Sequence, residues 1–207
     1  MASIKTASEI REISQLTAIL AEGLIRGADT VEGVPPEVAL GLEQARQQLQ
    51  DLPAVLQHLR GSLASYQSVS AALYRMMELA DLGADENVEY AQRESWNKEF
   101  INLSKIVAAD AGRRHYSGPR LNLLNQGEAL SARRILSYMK PVIENTGQEL
   151  EAQKELIREV VTETVNFLRI VADCYPEAEG TAGLREIIAE TDSQSAVGPG
   201  SYNESFH

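Results

Sequence analysis

The residue types that could do chemistry here are three histidines, one cysteine and several runs of carboxylates. His58, His115 and His207 lie far apart, and only His207 stands in a Glu-x-x-His spacing, with Glu204 at the end of the polar tail, whereas a helical bundle that holds a di-iron centre draws one such motif from each of two helices. The chain has no Gly-rich phosphate loop, no Gly-x-Ser-x-Gly elbow and no Cys-x-x-Cys. Glu144, Glu149, Glu151, Glu155, Glu159 and Glu163 are spaced along a helix beside Lys154 and Arg158. That pattern reads as a solvated face with charge partners three and four residues away, not as an acid/base pair. Arg113, Arg114 and His115 form one compact basic group, either charge complementing a helix C-terminus or an interaction patch at a loop tip. Cys174 lacks a second cysteine to pair with and is expected as a small core residue. These readings predict no metal, no cofactor and no enzymatic activity.

The elements that position these residues follow from composition. Of 207 residues, 43% are hydrophobic, 24% charged and only 5% aromatic. Abundant Leu, Ala, Glu, Gln and Arg suit long helices and argue against a β-sandwich. The formal net charge of −11, with Lys and Arg scattered, repels nucleic-acid phosphate and anionic lipid, so neither is expected as a partner. No apolar run approaches about 18 residues, and MASIKTASEIREISQL lacks an apolar core after a basic start. Neither membrane insertion nor a Sec-type signal peptide is expected.

Hydrophobic spacing then divides the chain. Residues 1–27 form an amphipathic helix with Ile10, Ile13, Leu16, Leu20 and Leu24 on one face, a Thr6 to Glu9 capping box at its start and Gly27 at its stop. It either packs on its own bundle or serves as an assembly arm for a partner. After the loop ending in Pro35-Pro36, the seam Leu42, Ala45, Leu49, Leu52, Leu56, Leu59, Leu63, Tyr66, Ser70, Leu73, Met77, Ala80 steps by three and four up to Gly83, a heptad stripe. Pro53 predicts a kink or a new start within it, and Gly61 weakens it by about 1 kcal/mol relative to Ala.

Asp85 is expected to cap a helix over about 86–111, with Val88, Trp96, Phe100, Leu103 and Val107 as its apolar face and Trp96 as a core or groove anchor. Gly112 and Gly118-Pro119 predict a turn or short hairpin near 112–126. A returning helix over 128–175 carries a second seam: Ala132, Leu136, Met139, Ile143, Thr146, Leu150, Gln153, Ile157, Val160, Thr164, Phe167, Val171, Cys174. Pro141 suggests a kink or a later start there. A short helix, Leu184 to Glu190, and a polar tail complete the chain. The expected organisation is an all-α, elongated antiparallel bundle, a coiled-coil-like rod. Residues 1–27 are its N-terminal helix, 37–175 its core, and 176–207 the short helix with a flexible tail.

One stretch carries a family resemblance. Leu73-Tyr74-Arg75-Met76-Met77-Glu78-Leu79-Ala80, Gly83-Ala84-Asp85, Ala91-Gln92-Arg93-Glu94, Phe100 with Leu103 and Ile106, and Tyr116-Ser117-Gly118 with Leu121 follow one another. This order resembles the D1 core of bacterial flagellins and hook-associated junction proteins, and residues 128–168, around Leu150-Glu151-Ala152-Gln153, look like its returning helix. The likeness is confined to D1; the D0 motifs are not matched.

The resemblance implies a structural subunit of a filament or junction that assembles through helix packing. Arg75, Met76, Glu78, Leu79, Arg113, Arg114, Tyr116 and Gly118 would face neighbours, and Leu56, Leu59, Leu63, Leu73, Ile143, Leu150, Ile157 and Val160 would form the inner seam. It also implies self-association, an export chaperone or other flagellar-type subunits as partners, and an extracellular filament reached by signal-peptide-independent export. The alternative from the residues alone is a cytoplasmic helical adaptor, secretion chaperone or virion-component binding module without enzymatic activity.

Overall fold

The computed structural model describes residues 2–27, 33–110 and 121–196. Their hydrophobic periodicity is satisfied by helices alone. These are α1 (Ala2–Gly27), α2 (Pro36–Gly83), α3 (Tyr90–Asp110), α4 (Gln126–Ser137), α5 (Lys140–Cys174) and α6 (Thr181–Ala196). The protein is an all-α helical bundle, with no strand among the described residues. The hairpin expected near 112–126 falls mostly outside those residues, as does the expected tail beyond Ala196. Residues 121–125 are non-helical chain leading into α4.

The chain forms two compact units that do not follow sequence order. One comprises residues 1–60 with 152–207, the other residues 61–151. Helices α2 and α5 each contribute one end to each unit.

In the first unit the amphipathic face of α1 is turned inward: Ile10, Ile13, Leu20 and Leu24 are buried, and α1 packs against α6, whose buried apolar residues are Leu184, Ile187 and Ile188. Each fully buried Leu or Ile contributes about 1.5–3 kcal/mol relative to exposure. The N-terminal part of α2 adds Leu42, Ala45, Leu49, Leu52, Leu56 and Leu59 on the expected seam. Helix α2 runs through Pro53, which is exposed, so the helix continues without that backbone donor. Thr6 lies inside α1, because the helix already begins at Ala2, and therefore cannot be its N-cap.

Helix α6 is longer than the expected Leu184 to Glu190. Pro176 disfavours helical backbone at the residue before it, ending α5, and Gly180 adopts a left-handed φ of 85° that lets the chain reverse. The fully buried Thr181 then donates its hydroxyl to the Tyr175 carbonyl at 2.9 Å, tying the new helix to the end of α5.

The second unit has a core of Leu73, Met76, Leu79, Ala80, Phe100, Leu123, Ala129, Ala132, Leu136 and Ile143, flanked by the partly buried Trp96, Leu103 and Val107. Asp85 does not cap α3, which starts only at Tyr90. Its Oδ1 instead accepts the Asn87 amide at 2.9 Å, closing a local turn that competes with helix. Pro141 marks a true start. The N–H groups of Tyr138 and Met139 bond the carbonyls of Ile135 and Leu136 at 3.2 and 2.9 Å, a tightened turn that separates α4 from α5 and leaves Pro141 in a first helical turn, where no amide is needed.

The seam of α5 differs in phase from the sequence reading. Ile143, Leu150, Ile157, Thr164 and Val171 are inward as expected, but between them lie Gly147, Lys154, Val161 and Leu168 instead of Thr146, Gln153, Val160 and Phe167. Thr146 and Gln153 are exposed, Val160 and Phe167 half-buried. A glycine and a lysine at seam positions concealed this phase. Cys174 is accordingly exposed and not a core residue, since the last turn of α5 turns Val171 and Ala172 inward.

Candidate interaction surfaces

The segment expected to face neighbours, residues 75–80, splits by helical geometry. Met76 and Leu79 are 4% and 0% exposed and belong to the core of the second unit, so they are not available to a partner. This corrects the expectation from the resemblance: a period of 3.6 puts Met76, Leu79 and Ala80 on the face that meets α3 and α4 residues. Arg75 and Glu78 remain outside. The Arg75 guanidinium forks onto Glu99, with Nε to Oε1 at 2.7 Å and Nη2 to Oε2 at 3.2 Å, while Nη1 reaches Glu78 at 3.0 Å. The bidentate contact holds the Glu99 carboxyl below the usual carboxylate range. Arg113, Arg114, Tyr116 and Gly118 lie outside the described residues, as do His115 and His207.

Further polar contacts clasp the turn between α2 and α3. Arg93 Nε donates to the Gly83 carbonyl at 3.1 Å and its Nη2 to that of Asp85. Gln126 Nε2 donates to the Ala84 carbonyl at 3.2 Å, and Arg133 pairs with Asp81 at 2.7 Å. Asn97, only 6% exposed, accepts the Leu123 amide at 2.8 Å and thereby fixes the approach to α4. A shallow cavity of about 280 Å³ lies beside the start of α4, lined by Leu121, Asn122, Asn125, Gly127, Glu128 and Ser131. Its polar groups serve the helix itself. Asn125 Oδ1 accepts the Glu128 amide at 2.9 Å, and Glu128 Oε2 accepts the Leu124 amide at 3.2 Å, a reciprocal cap.

One apolar row of this unit was not foreseen as a surface. Ile135, Tyr138, Met139 and Val142 stand 40%, 66%, 38% and 55% exposed, spread over the last turn of α4, the turn at 138–139 and the first turn of α5. Isolated exposed apolar side chains are ordinary, but four large ones within eight residues are the pattern of an association surface. Seam spacing alone places Met139 inward; the break at 138–139 turns it outward.

The core-seam residues Leu56, Leu59, Leu63, Leu73, Ile143, Leu150 and Ile157 are all buried, and Val160 is the one half-buried member of that set. His58 is exposed, and the carboxylates at 144, 149, 151, 155, 159 and 163 lie on the outer face of α5, with Glu155 paired to Arg158 at 3.1 Å. Among the described residues, no group of three or more His, Cys, Asp or Glu is placed to hold a metal ion, and no helix is long and apolar enough to cross a membrane. Comparison with protein-family models, with curated proteins and with solved structures gives no match.

Proposed function

We propose that this chain is a non-enzymatic structural subunit that works by packing helices between copies, as its resemblance to flagellins and hook-associated junction proteins implies. The observation that carries the reading is the exposed row Ile135, Tyr138, Met139 and Val142. In water such a row gains about 25 cal/mol for each Å² of apolar surface it buries against another helix. On this reading the subunit belongs to an extracellular filament or junction reached by signal-peptide-independent export, with other flagellar-type subunits or an export chaperone as partners.

The test is negative-stain imaging and sedimentation of the purified protein over a concentration series, beside the double variant Tyr138→Glu/Val142→Glu. Elongated assemblies that grow with concentration and vanish in the variant, at unchanged helicity, are the expected result. A monomer or a fixed small oligomer at every concentration would overturn the subunit reading and favour the adaptor.

A further inference from the structure

Lys154 is 4% exposed, yet it occupies a seam position of α5 where the heptad pattern calls for an apolar side chain. Its Nζ lies 2.6 Å from Glu9 Oε2 on α1, 145 residues away, and 3.5 Å from Glu155 Oε1. Glu155 stands on the same helix as Lys154 whatever the register of α1; Glu9 is the carboxylate that α1 itself brings, and it makes the shorter contact with the buried ammonium. The same helix α1 is read at a second point. A Cβ placed on Gly23 would lie 2.7 Å from Ile187 Cδ1 and 3.1 Å from Cγ2 on α6, so the Ile187 side chain fills the space a larger residue would need. The two points are fourteen residues apart, two heptads along α1, about 21 Å of helix.

We propose that α5 and α6 form a two-point reading seat for α1. Lys154 demands a carboxylate at one height and Ile187 demands a glycine at the other, so that α1 docks in one register only. Hydrophobic burial alone does not impose this. The inward row Ile10, Ile13, Thr17, Leu20, Leu24 repeats closely enough for a slipped helix to bury apolar side chains too. Each slip fails at one of the two points. A shift of seven residues puts Leu16 opposite Lys154 in one direction and Leu16 against Ile187 in the other. A shift of three that offers Glu12 to Lys154 brings Arg26, not a glycine, against Ile187. Lys154 is thus a specificity residue for helix docking, in the way a single polar residue in a coiled-coil seam fixes register at a cost in stability. The inference is independent of how copies assemble.

The test uses the full chain with Cys174→Ser and spin labels on Ala18→Cys and Ala189→Cys, exposed positions on α1 and α6. Pulsed dipolar measurement should give one narrow distance in this parent. Lys154→Met, an apolar replacement of similar length that leaves the seam packed, should keep the helicity but add a second population displaced by about 5 Å, one turn, or about 10 Å, one heptad. Glu9→Lys should broaden the distribution, and Glu9→Lys/Lys154→Glu should restore the single narrow distance. One unchanged narrow distance in Lys154→Met would overturn the proposal, as would failure of the exchanged pair to restore it. A purely stabilising ion pair would move the unfolding midpoint and leave the distances alone.

Discussion

Replacing Gly147 by alanine separates two effects that usually travel together. Gly147 sits on the α5 seam in a helical conformation, and a Cβ built on it would lie 2.8 Å from Tyr66 Cζ and nearer still to Oη. Alanine in a helix interior is favoured over glycine by about 1 kcal/mol, while an extra carbon forced into a packed site costs about 1–3 kcal/mol. Gly61 is the control. It lies in the same unit, inside α2, exposed, with nothing within 4 Å of an added Cβ. Gly61→Ala should therefore stabilise by about 0.5–1 kcal/mol, and Gly147→Ala should range from neutral to about 2 kcal/mol destabilising. The two variants should differ by about 1–3 kcal/mol, or about 2–12 °C in melting temperature for a chain of this size. Urea unfolding followed by circular dichroism measures both. Tyr66→Phe, which removes the nearest atom, should recover part of the loss in the Gly147→Ala background while changing the parent little. If Gly147→Ala stabilises as much as Gly61→Ala, the seam phase assigned to α5 is wrong.

Two further outcomes follow from the same unit. Burial, then the neighbouring Tyr74 and Glu144, raise the Tyr66 phenol above its usual value, so the unfolded chain loses this proton first. The associated stability is intact below about pH 10 and is lost as pH rises toward the higher folded value. In ultraviolet titration, Tyr66→Phe should delete a step above about pH 10, and a deleted step at or below that pH would refute the burial argument. Asn97→Leu should destabilise by about 1–3 kcal/mol, because it leaves the Leu123 amide buried without its acceptor; an unfolding midpoint equal to the parent's would show that this hydrogen bond does not hold the approach to α4.

Legibility in the sequence tracked how each position is satisfied. The α2 seam from Leu42 to Leu63 was readable because apolar side chains fill it and hydrophobic periodicity needs no partner to be recognised. The helix stop at Gly83 was readable as well, since it depends on one local residue. The α5 phase was not, because its meaning is held by distant residues. Gly147 belongs to the seam only because Tyr66 occupies its missing side chain, and Lys154 only because Glu9 meets it. Asp85 misled for the opposite reason, offering a good cap while its own Asn87 turn came first. The composition of the two units escaped for a similar cause, since α2 and α5 run through the boundaries at Arg60 and Glu151 as continuous helices.

The candidate surface obeys the same logic. Read as one uninterrupted helix, residues 128–175 put Met139 inside with Leu136 and Ile143, while Tyr138, about 200° around from Leu136, already faces out. The tightened turn ahead of Pro141 rotates the chain between Leu136 and Ile143, both of which stay buried, and the surplus apolar residues are the ones that emerge. Of the exposed row, Met139 is the member whose exposure is tied to the break. Pro141→Ala removes the need for that break, and a fused α4–α5 helix would turn Met139 inward and leave Ile135, Tyr138 and Val142 outside, without altering the chemistry of the row. Association that depends on the arrangement of the row should weaken in this variant at unchanged helicity, whereas association driven by apolar content alone should persist. That contrast tests whether the surface is specified by the fold or merely by composition.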